Sequence, residues 1–272
     1  MPQWNAMAKE TFGKDTEDIQ TIEKHIPVLL ANLMLGFHYS QPLTPNIIPV
    51  GGLHIRSPKG LPEDLQEIYN EAENGVVYFS LGTNIRTNEL DVEKIEMFKE
   101  TFGRLNVTVI WKIDFQLKDC PENVYLQQFL PQNEILAHPK TRAFISHCGG
   151  LSTMESVHHG VPVIGMPFIV DQHFLGTLIE KRELGVILEY ETLTADVFYE
   201  AIQKVLNNEM RKEKRQGGTQ TMAPDSEYEW SLDTTALLSL DYICLKILNY
   251  TVVVRRRNAP PLHRTRRLEV AS

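Results

Sequence analysis

The sequence predicts an α/β fold with a doubly wound parallel sheet for the middle of the chain, on three observations. Short apolar runs recur from Val76 onward, and each is bounded by glycine, proline or polar residues in the manner of a strand buried on both faces. Between them lie stretches with helical spacing, and strands alternating with helices imply a parallel sheet covered on both sides. Three of the runs end in distinctive glycine and polar residues, at the carboxyl ends where open α/β sheets bind ligands.

The elements follow in order. Before Gly75, a helical piece over Asp15–His25 leads to an apolar run, Ile26–Leu35, then to proline-rich turns. Asn46–Ile55 reads as a buried strand carrying Gly51-Gly52, and Ser57–Pro62 as linker, since proline fixes the backbone and removes donors. Val76–Leu81 is a strand ending at Gly82. Asp91–Leu105 places Ile95, Phe98, Phe102 and Leu105 on one helical stripe. Strands are expected at Val107–Lys112, Val124–Gln128, Ala143–Ser146, Val161–Met166 and Val186–Leu188. Helices are expected at Asn133–Ala137, Ser152–His159, Gln172–Glu183 and Thr194–Asn207. Beyond Asn208 the pattern decays: 211–226 reads as polar loop, Trp230–Val254 as helix or strand, and the basic stretch from Arg255 as mostly unstructured. Three segments result: 1–74, 75–210 and a divergent tail, 211–272.

Composition narrows the function. At 272 residues, with 42% hydrophobic and 23% charged residues, the chain has the make-up of a soluble globular protein. Eleven Lys/Arg against seven Asp/Glu from Arg211 onward put the tail at +4 and the first 210 residues at −12, within a total of −8. So acidic a body repels nucleic acid, and no nucleic-acid partner is expected. A phosphorylated ligand would have to be met by backbone N–H groups and a helix end. Three cysteines give neither a disulfide framework nor a paired metal spacing, so no metal is expected. The first twelve residues lack a signal-peptide pattern, and Thr234–Val254 is broken by Asp241, Lys246 and Asn249, so the chain reads as soluble as written. Asn106-Val107-Thr108 and Asn249-Tyr250-Thr251 are sequons of a kind that arises often by chance.

Three strand ends carry candidate chemistry. After the first, Gly82 permits close approach to the backbone and Thr83 offers a hydroxyl and an N–H, although a plain turn explains both. After the second, His147 is followed by Cys148-Gly149-Gly150 and a helix, whose free N–H groups and partial positive charge suit a pyrophosphate. Ser152-x-x-Glu155 is also a capping box, which would satisfy those donors without any ligand. After the third, Asp171-Gln172 could grip vicinal sugar hydroxyls, or Asp171 could cap its helix. No Gly-x-Gly-x-x-Gly follows any strand, which argues against a dinucleotide-dependent dehydrogenase. His138, His158, His159 and His173 read as surface or packing residues.

Together these segments resemble the C-terminal signature of the UDP-glycosyltransferases, most closely the insect type. The matching residues are Phe79–Thr83, Phe129-Leu130-Pro131-Gln132-Asn133, Leu136-Ala137-His138-Pro139, His147-Cys148-Gly149-Gly150, Ser152–Glu155, Gly160-Val161-Pro162 and Asp171-Gln172. The likeness runs from about Phe12 to about Leu206. It implies the donor half of two facing Rossmann-type domains (the GT-B arrangement), preceded by a remnant of the acceptor domain. By the same likeness Phe129 stands where a ring, usually Trp, stacks on uracil, with core packing as the alternative reading. Gln132 would read the uracil edge, Glu155 the ribose hydroxyls. Gly82, Thr83, His147, Gly149 and Ser152 would surround the diphosphate, and Asp171 and Gln172 would hold the sugar.

The reaction so implied is inverting transfer of a hexose or hexuronic acid from UDP-sugar to a hydroxyl of a small lipophilic acceptor. The UDP-sugar is the donor substrate and no cofactor is expected. The family's base is a His near the start of the N-terminal domain, oriented by an Asp. No residue here matches either, so no catalytic residue is assigned and the chain is expected to be inactive alone. Three departures stand out: Leu151 occupies a position where relatives often carry Asn, most of the acceptor domain is missing, and the family's membrane span and basic tail do not follow. The likeness also implies the luminal side of the endoplasmic reticulum membrane for complete members. A non-catalytic chain that binds UDP-sugar, or associates with full-length relatives, is the alternative.

Overall fold

In a computed structural model the structure describes residues 2–83, 85, 90–115 and 117–207, together with the backbone of 242–247 and 250–255. The loop expected over 211–226 and the unstructured stretch expected after 255 lie outside the described residues. Two units divide the chain: Met1–Leu33, Ser40–Gly51 and Tyr228–Ser272 form the smaller, Met34–Tyr39 and Gly52–Glu227 the larger.

The smaller unit opens with helix α1, Pro2–Phe12, which the sequence reading missed despite its run of good helix formers, Ala6 to Glu10. The helix expected over 15–25 is shorter, α2 (Ile19–Lys24). Asn5 joins the two: its Oδ1 accepts the N–H of Ile19 at 2.9 Å, and Lys9 pairs with Asp18 at 2.8 Å. Strand β1 (Leu29–Ala31) lies parallel to β2 (Ile47–Pro49) and to β9 (Tyr242–Ile247), and β9 pairs antiparallel with β10 (Tyr250–Arg255). The long strand expected over 46–55 stops at Pro49, because a turn with Gly52 at φ +88° follows.

The larger unit is the expected doubly wound α/β layer. Its strands are β3 (Val76–Ser80), β4 (Thr108–Lys112), β5 (Val124–Gln127), β6 (Thr141–Ser146), β7 (Val163–Gly165) and β8 (Gly185–Ile187). All pair in parallel, in the order β5-β4-β3-β6-β7-β8. Counted within the unit this is the 3-2-1-4-5-6 order, whose reversal between its first and fourth strands opens a crevice at their carboxyl ends. Here those strands are β3 and β6.

Strand periodicity explains the two covered faces. On β3, Val77 and Phe79 enter a core with Phe98, Phe102, Trp111 and Phe198, to which helices α4 (Val92–Gly103) and α8 (Ala195–Asn207) contribute. Val76 and Tyr78 point the other way, into a core with Leu65, Tyr69, Ile135 and Phe144. That second layer contains α3 (Glu63–Glu71) and α5 (Gln132–Ala137), and a third cluster lies under α6 (Gly150–His158) and α7 (Val170–Lys181). Helix α3 directly follows the stretch read as linker, 57–62, where no helix was expected, and the boundary expected between 74 and 75 lies inside this unit, shortly after α3. Its Leu65, Ile68, Tyr69 and Ala72 form one apolar stripe at i, i+3, i+4 and i+7.

Candidate functional site

Six parallel strands deliver six loops to one edge, and the predicted residues cluster there because they follow β3, β5, β6 and β7. Of these loops, the one after β6 is the most constrained. Cys148 turns the chain from strand to helix with φ +61°, a conformation disfavoured for residues with a Cβ. The Ser146 hydroxyl supports the turn by accepting the Cys148 N–H at 3.2 Å. The Cys148 side chain is buried, and a Cβ at Gly165 would come within 2.3 Å of its Sγ. Burial pushes that thiol up to about 12, so it is no nucleophile at neutral pH.

Helix α6 then begins two residues earlier than the sequence suggested, and this removes the cap reading. Its N-cap is Gly149, which has no side chain to offer, and Ser152 is the third helical residue. The helix first satisfies its own donors at Thr153, whose N–H reaches Gly149 O at 2.8 Å. The N–H groups of Gly150, Leu151 and Ser152 precede it and are left to an outside partner. The capping-box reading of Ser152 and Glu155 is therefore corrected. Both side chains instead meet Gln132: its Nε2 donates to Ser152 Oγ at 3.0 Å and to Glu155 Oε2 at 2.6 Å, while Tyr78 Oη donates to its Oε1 at 3.3 Å.

His147 sits between two glycines. A Cβ on Gly82 would lie 2.6 Å from its Cε1, and one on Gly149 would lie 2.4 Å from its Nε2. Gly82 also has φ +77°, so it serves the histidine and the turn at once. The ring is only 6% exposed, and its Nδ1 has no hydrogen-bond partner among the described residues. Burial holds the imidazole down to about 4, opposed by the Asp171 charge and reinforced by Lys112. Lys112 was missed by the sequence reading. It ends β4, beside β3, and its Nζ donates to Gly82 O at 2.8 Å. Only the strand order, invisible in the sequence, reveals that neighbourhood. Thr83 is exposed in the adjoining turn.

Phe129 is 89% exposed in the loop between β5 and α5, so the core-packing alternative is corrected too: the ring offers its face to solvent. Asp171 and Gln172 separate. The N-cap of α7 is Ile169, so Asp171 is not a cap; it is the second helical residue and exposed. Gln172 is 2% exposed, and its Oε1 accepts the N–H groups of Phe168 at 2.8 Å and Ile169 at 3.2 Å. The other histidines do structural work or stay outside. His138 packs on Tyr69 with ring centroids 4.1 Å apart, His159 bonds Asn133 at 2.8 Å, and His173 is exposed. Among the described residues no group of His, Cys, Asp and Glu is arranged to hold a metal.

Against this geometry stands a family match. Residues 1–216 fit the family of UDP-glucuronosyl and UDP-glucosyl transferases. The chain belongs to that family. It is 36% identical over 210 residues to UDP-glucosyltransferase 2 of Dactylopius coccus, covering 77% of this chain and 41% of that one. It is 32% identical over 215 residues to human UDP-glucuronosyltransferase 2B7, covering 78% and 40%. The family member described here thus spans about two fifths of the length of these relatives. Among solved structures, Os79 of O. sativa in complex with UDP superposes with a TM-score of 0.51 at 25% identity, over 61% of this chain and 39% of Os79. A glycosyltransferase of kitacinnamycin shares the fold, with a TM-score of 0.54 at 19% identity over 70% and 48% of the two chains. Among the described residues of this transferase-family chain, no helix is long and apolar enough to cross a membrane.

The buried histidines give a first prediction. His147 and His159 are both held down to about 4, chiefly by burial, and His138 and His158 are lowered by the same cause. Such groups are neutral when folded and take up protons on unfolding below about 6.5. The unfolded state then binds more protons, so stability is complete above about pH 6.5 and falls as pH drops toward 4. Thermal unfolding at pH 7.5, 6, 5 and 4.5 checks this, and His147→Ala should flatten the slope.

Proposed function

We propose that the larger unit binds the UDP-sugar donor of a glycosyl transfer. One observation carries this reading: the helix that follows the switch-point strand begins at a glycine without a cap, leaving three N–H groups beside a buried, neutral histidine. Donors so placed suit a diphosphate, both by hydrogen bonding and by the partial positive charge of the helix end. Gly82, Thr83, His147, Gly149 and Ser152 would surround it. Lys112 adds a cation at the same strand ends. The uridine would lie toward Gln132 and Glu155, with its base on the exposed Phe129 ring and its ribose hydroxyls donating to the Glu155 carboxylate. Asp171, exposed at the start of α7, would accept from sugar hydroxyls. Gln172 would fix that helix start through its Oε1 and leave its amide group for the sugar.

In the transfer itself, charge builds on the diphosphate as the anomeric carbon passes to the acceptor oxygen. Donors preorganised at the helix end stabilise that charge more than they stabilise the bound donor. A neutral His147 can donate to the same oxygens without adding a second charge. The acceptor would be a small lipophilic alcohol or phenol. We place the general base that takes its proton outside these 272 residues, so the isolated chain binds donor without transferring it. Turnover by the chain alone would refute that placement, and with it the reading as a purely binding partner.

Calorimetric titration with UDP, UDP-glucose, UDP-glucuronate and NAD tests the assignment. UDP is expected to bind with a Kd between about 1 µM and 1 mM (roughly −8 to −4 kcal/mol), and NAD is not expected to bind. Phe129→Ala should weaken UDP about tenfold, since stacking on one base is worth roughly 1–3 kcal/mol. Phe129→Trp should hold or tighten it. Equal affinity in all three would remove the ring from the site.

A further inference from the structure

The segment that follows Gly52, whose last residues were read from sequence as linker, is bonded to the two helices proposed to carry the uridine contacts. The stretch after the turn at Gly52 has no helix or strand of its own until α3. It nevertheless makes three contacts in succession with α5 and α6. His54 Nε2 lies 3.2 Å from Leu151 O, Arg56 O accepts from Asn133 Nδ2 at 3.0 Å, and the Lys59 N–H reaches Glu134 Oε1 at 3.4 Å. Asn133 and Glu134 directly follow Gln132 on α5, and Leu151 lies in the first turn of α6, four residues before Glu155.

His54 makes the sharpest of these contacts. Its Nε2 is also 3.8 Å from Glu155 Oε1, within ion-pair reach although too long for a hydrogen bond. The other carboxylate oxygen, Oε2, belongs to Gln132 at 2.6 Å. Leu151 O is the carbonyl whose partner within an α-helix is the N–H of Glu155. Accepting at Leu151 O requires His54 to carry its proton on Nε2, so the donor that grips α6 is the atom that faces the carboxylate. Gln132 thereby bonds one oxygen of Glu155 while His54, fastened to the same helix, faces the other, from two different parts of the chain.

We propose that His54 is a positioning residue of the nucleotide site, orienting the Glu155 carboxylate for the ribose and making segment 52–60 part of that site. This rests on the reading that Glu155 meets the ribose. Its consequence is that uridine recognition depends on chain that precedes the sheet. A carboxylate held at one oxygen only can rotate, and would need to be ordered each time ligand binds.

The test is a double-mutant cycle on the full 272-residue chain, with UDP as the probe and calorimetry as the readout. His54→Ala is expected to weaken UDP about two- to fivefold, the worth of a partly exposed contact at ion-pair distance. In a Glu155→Ala background the same change should cost nothing further, and His54→Gln, which keeps a side-chain donor, should recover most of the loss. An unchanged affinity in His54→Ala overturns the proposal. So does an equal loss with and without Glu155, because that describes a residue that merely fastens the segment. If Glu155→Ala itself binds UDP undiminished, it is the ribose assignment that falls, and this inference falls with it. Thermal unfolding verifies that each variant is folded; should His54→Ala not fold, His54→Phe keeps the ring's bulk without a donor and carries the same cycle.

Discussion

Glu155→Ala is expected to lower UDP affinity roughly 30- to 150-fold, about 2–3 kcal/mol, the range for hydrogen bonds to a charged group. The carboxylate stands on the second turn of α6, with Oε2 taken by Gln132 and Oε1 facing His54. Two oxygens offer about four acceptor positions, so a ribose diol can donate to both without displacing Gln132. Alanine removes all of them, and leaves the Gln132 amide with Ser152 Oγ as its remaining acceptor. The fold should lose little, since Ser152 and Tyr78 still hold Gln132. Glu155→Gln keeps one oxygen and gives up the charge, so it should fall between the two. Calorimetry with UDP reads the affinity, and a melting curve of each variant shows that the loss is local.

Gly149→Ala should do more damage through a single methyl group. Its Cβ would lie 2.4 Å from His147 Nε2 and 2.7 Å from Cε1, closer than real Cβ atoms come, and a tight 3.3 Å from Cδ2. The imidazole has little room to retreat, because Gly82 also lies close to its Cε1 and Nε2 and the ring is buried. Gly149 itself has φ −62°, so alanine brings no backbone strain there and the effect is purely steric. Overpacking of this kind costs about 1–3 kcal/mol of stability. Displacing His147, and with it the start of α6, should weaken UDP about 10- to 150-fold, since a hydrogen bond to a charged group is worth about 1.5–3 kcal/mol. The double variant His147→Ala/Gly149→Ala separates the two effects: removing the ring should restore the melting temperature but not UDP binding. Restored binding would mean that the histidine plays no part in the site.

Much of this architecture is legible in the sequence, because period and punctuation survive in one dimension. Every strand of the larger unit falls within or beside an apolar run seen from residues alone, β3 and β4 almost residue for residue. What does not survive is neighbourhood. Lys112 reads as the last residue of an ordinary strand, and only the pairing of β4 with β3 sets it beside Gly82. Helix starts are the second loss. Ser152-x-x-Glu155 has the same spelling whether Ser152 caps the helix or sits inside it, and Gly149-Gly150 let the helix begin early. Asp171 was open to the same ambiguity until Ile169 proved to be the cap. Helix α3, by contrast, was readable: its stripe from Leu65 to Ala72 directly follows the proline-rich linker ending at Pro62, and was overlooked beside it.

Backbone amide shifts on addition of UDP to the isotope-labelled chain test the central claim most directly. The account predicts the largest changes at Gly82, Thr83, Gly149, Gly150, Leu151 and Ser152, with smaller ones at Gln132 and Glu155. Saturating UDP that leaves those amides unmoved, or shifts instead the open cleft of 490 Å³ lined by Glu96, Lys99, Asp119 and Pro121, would contradict it.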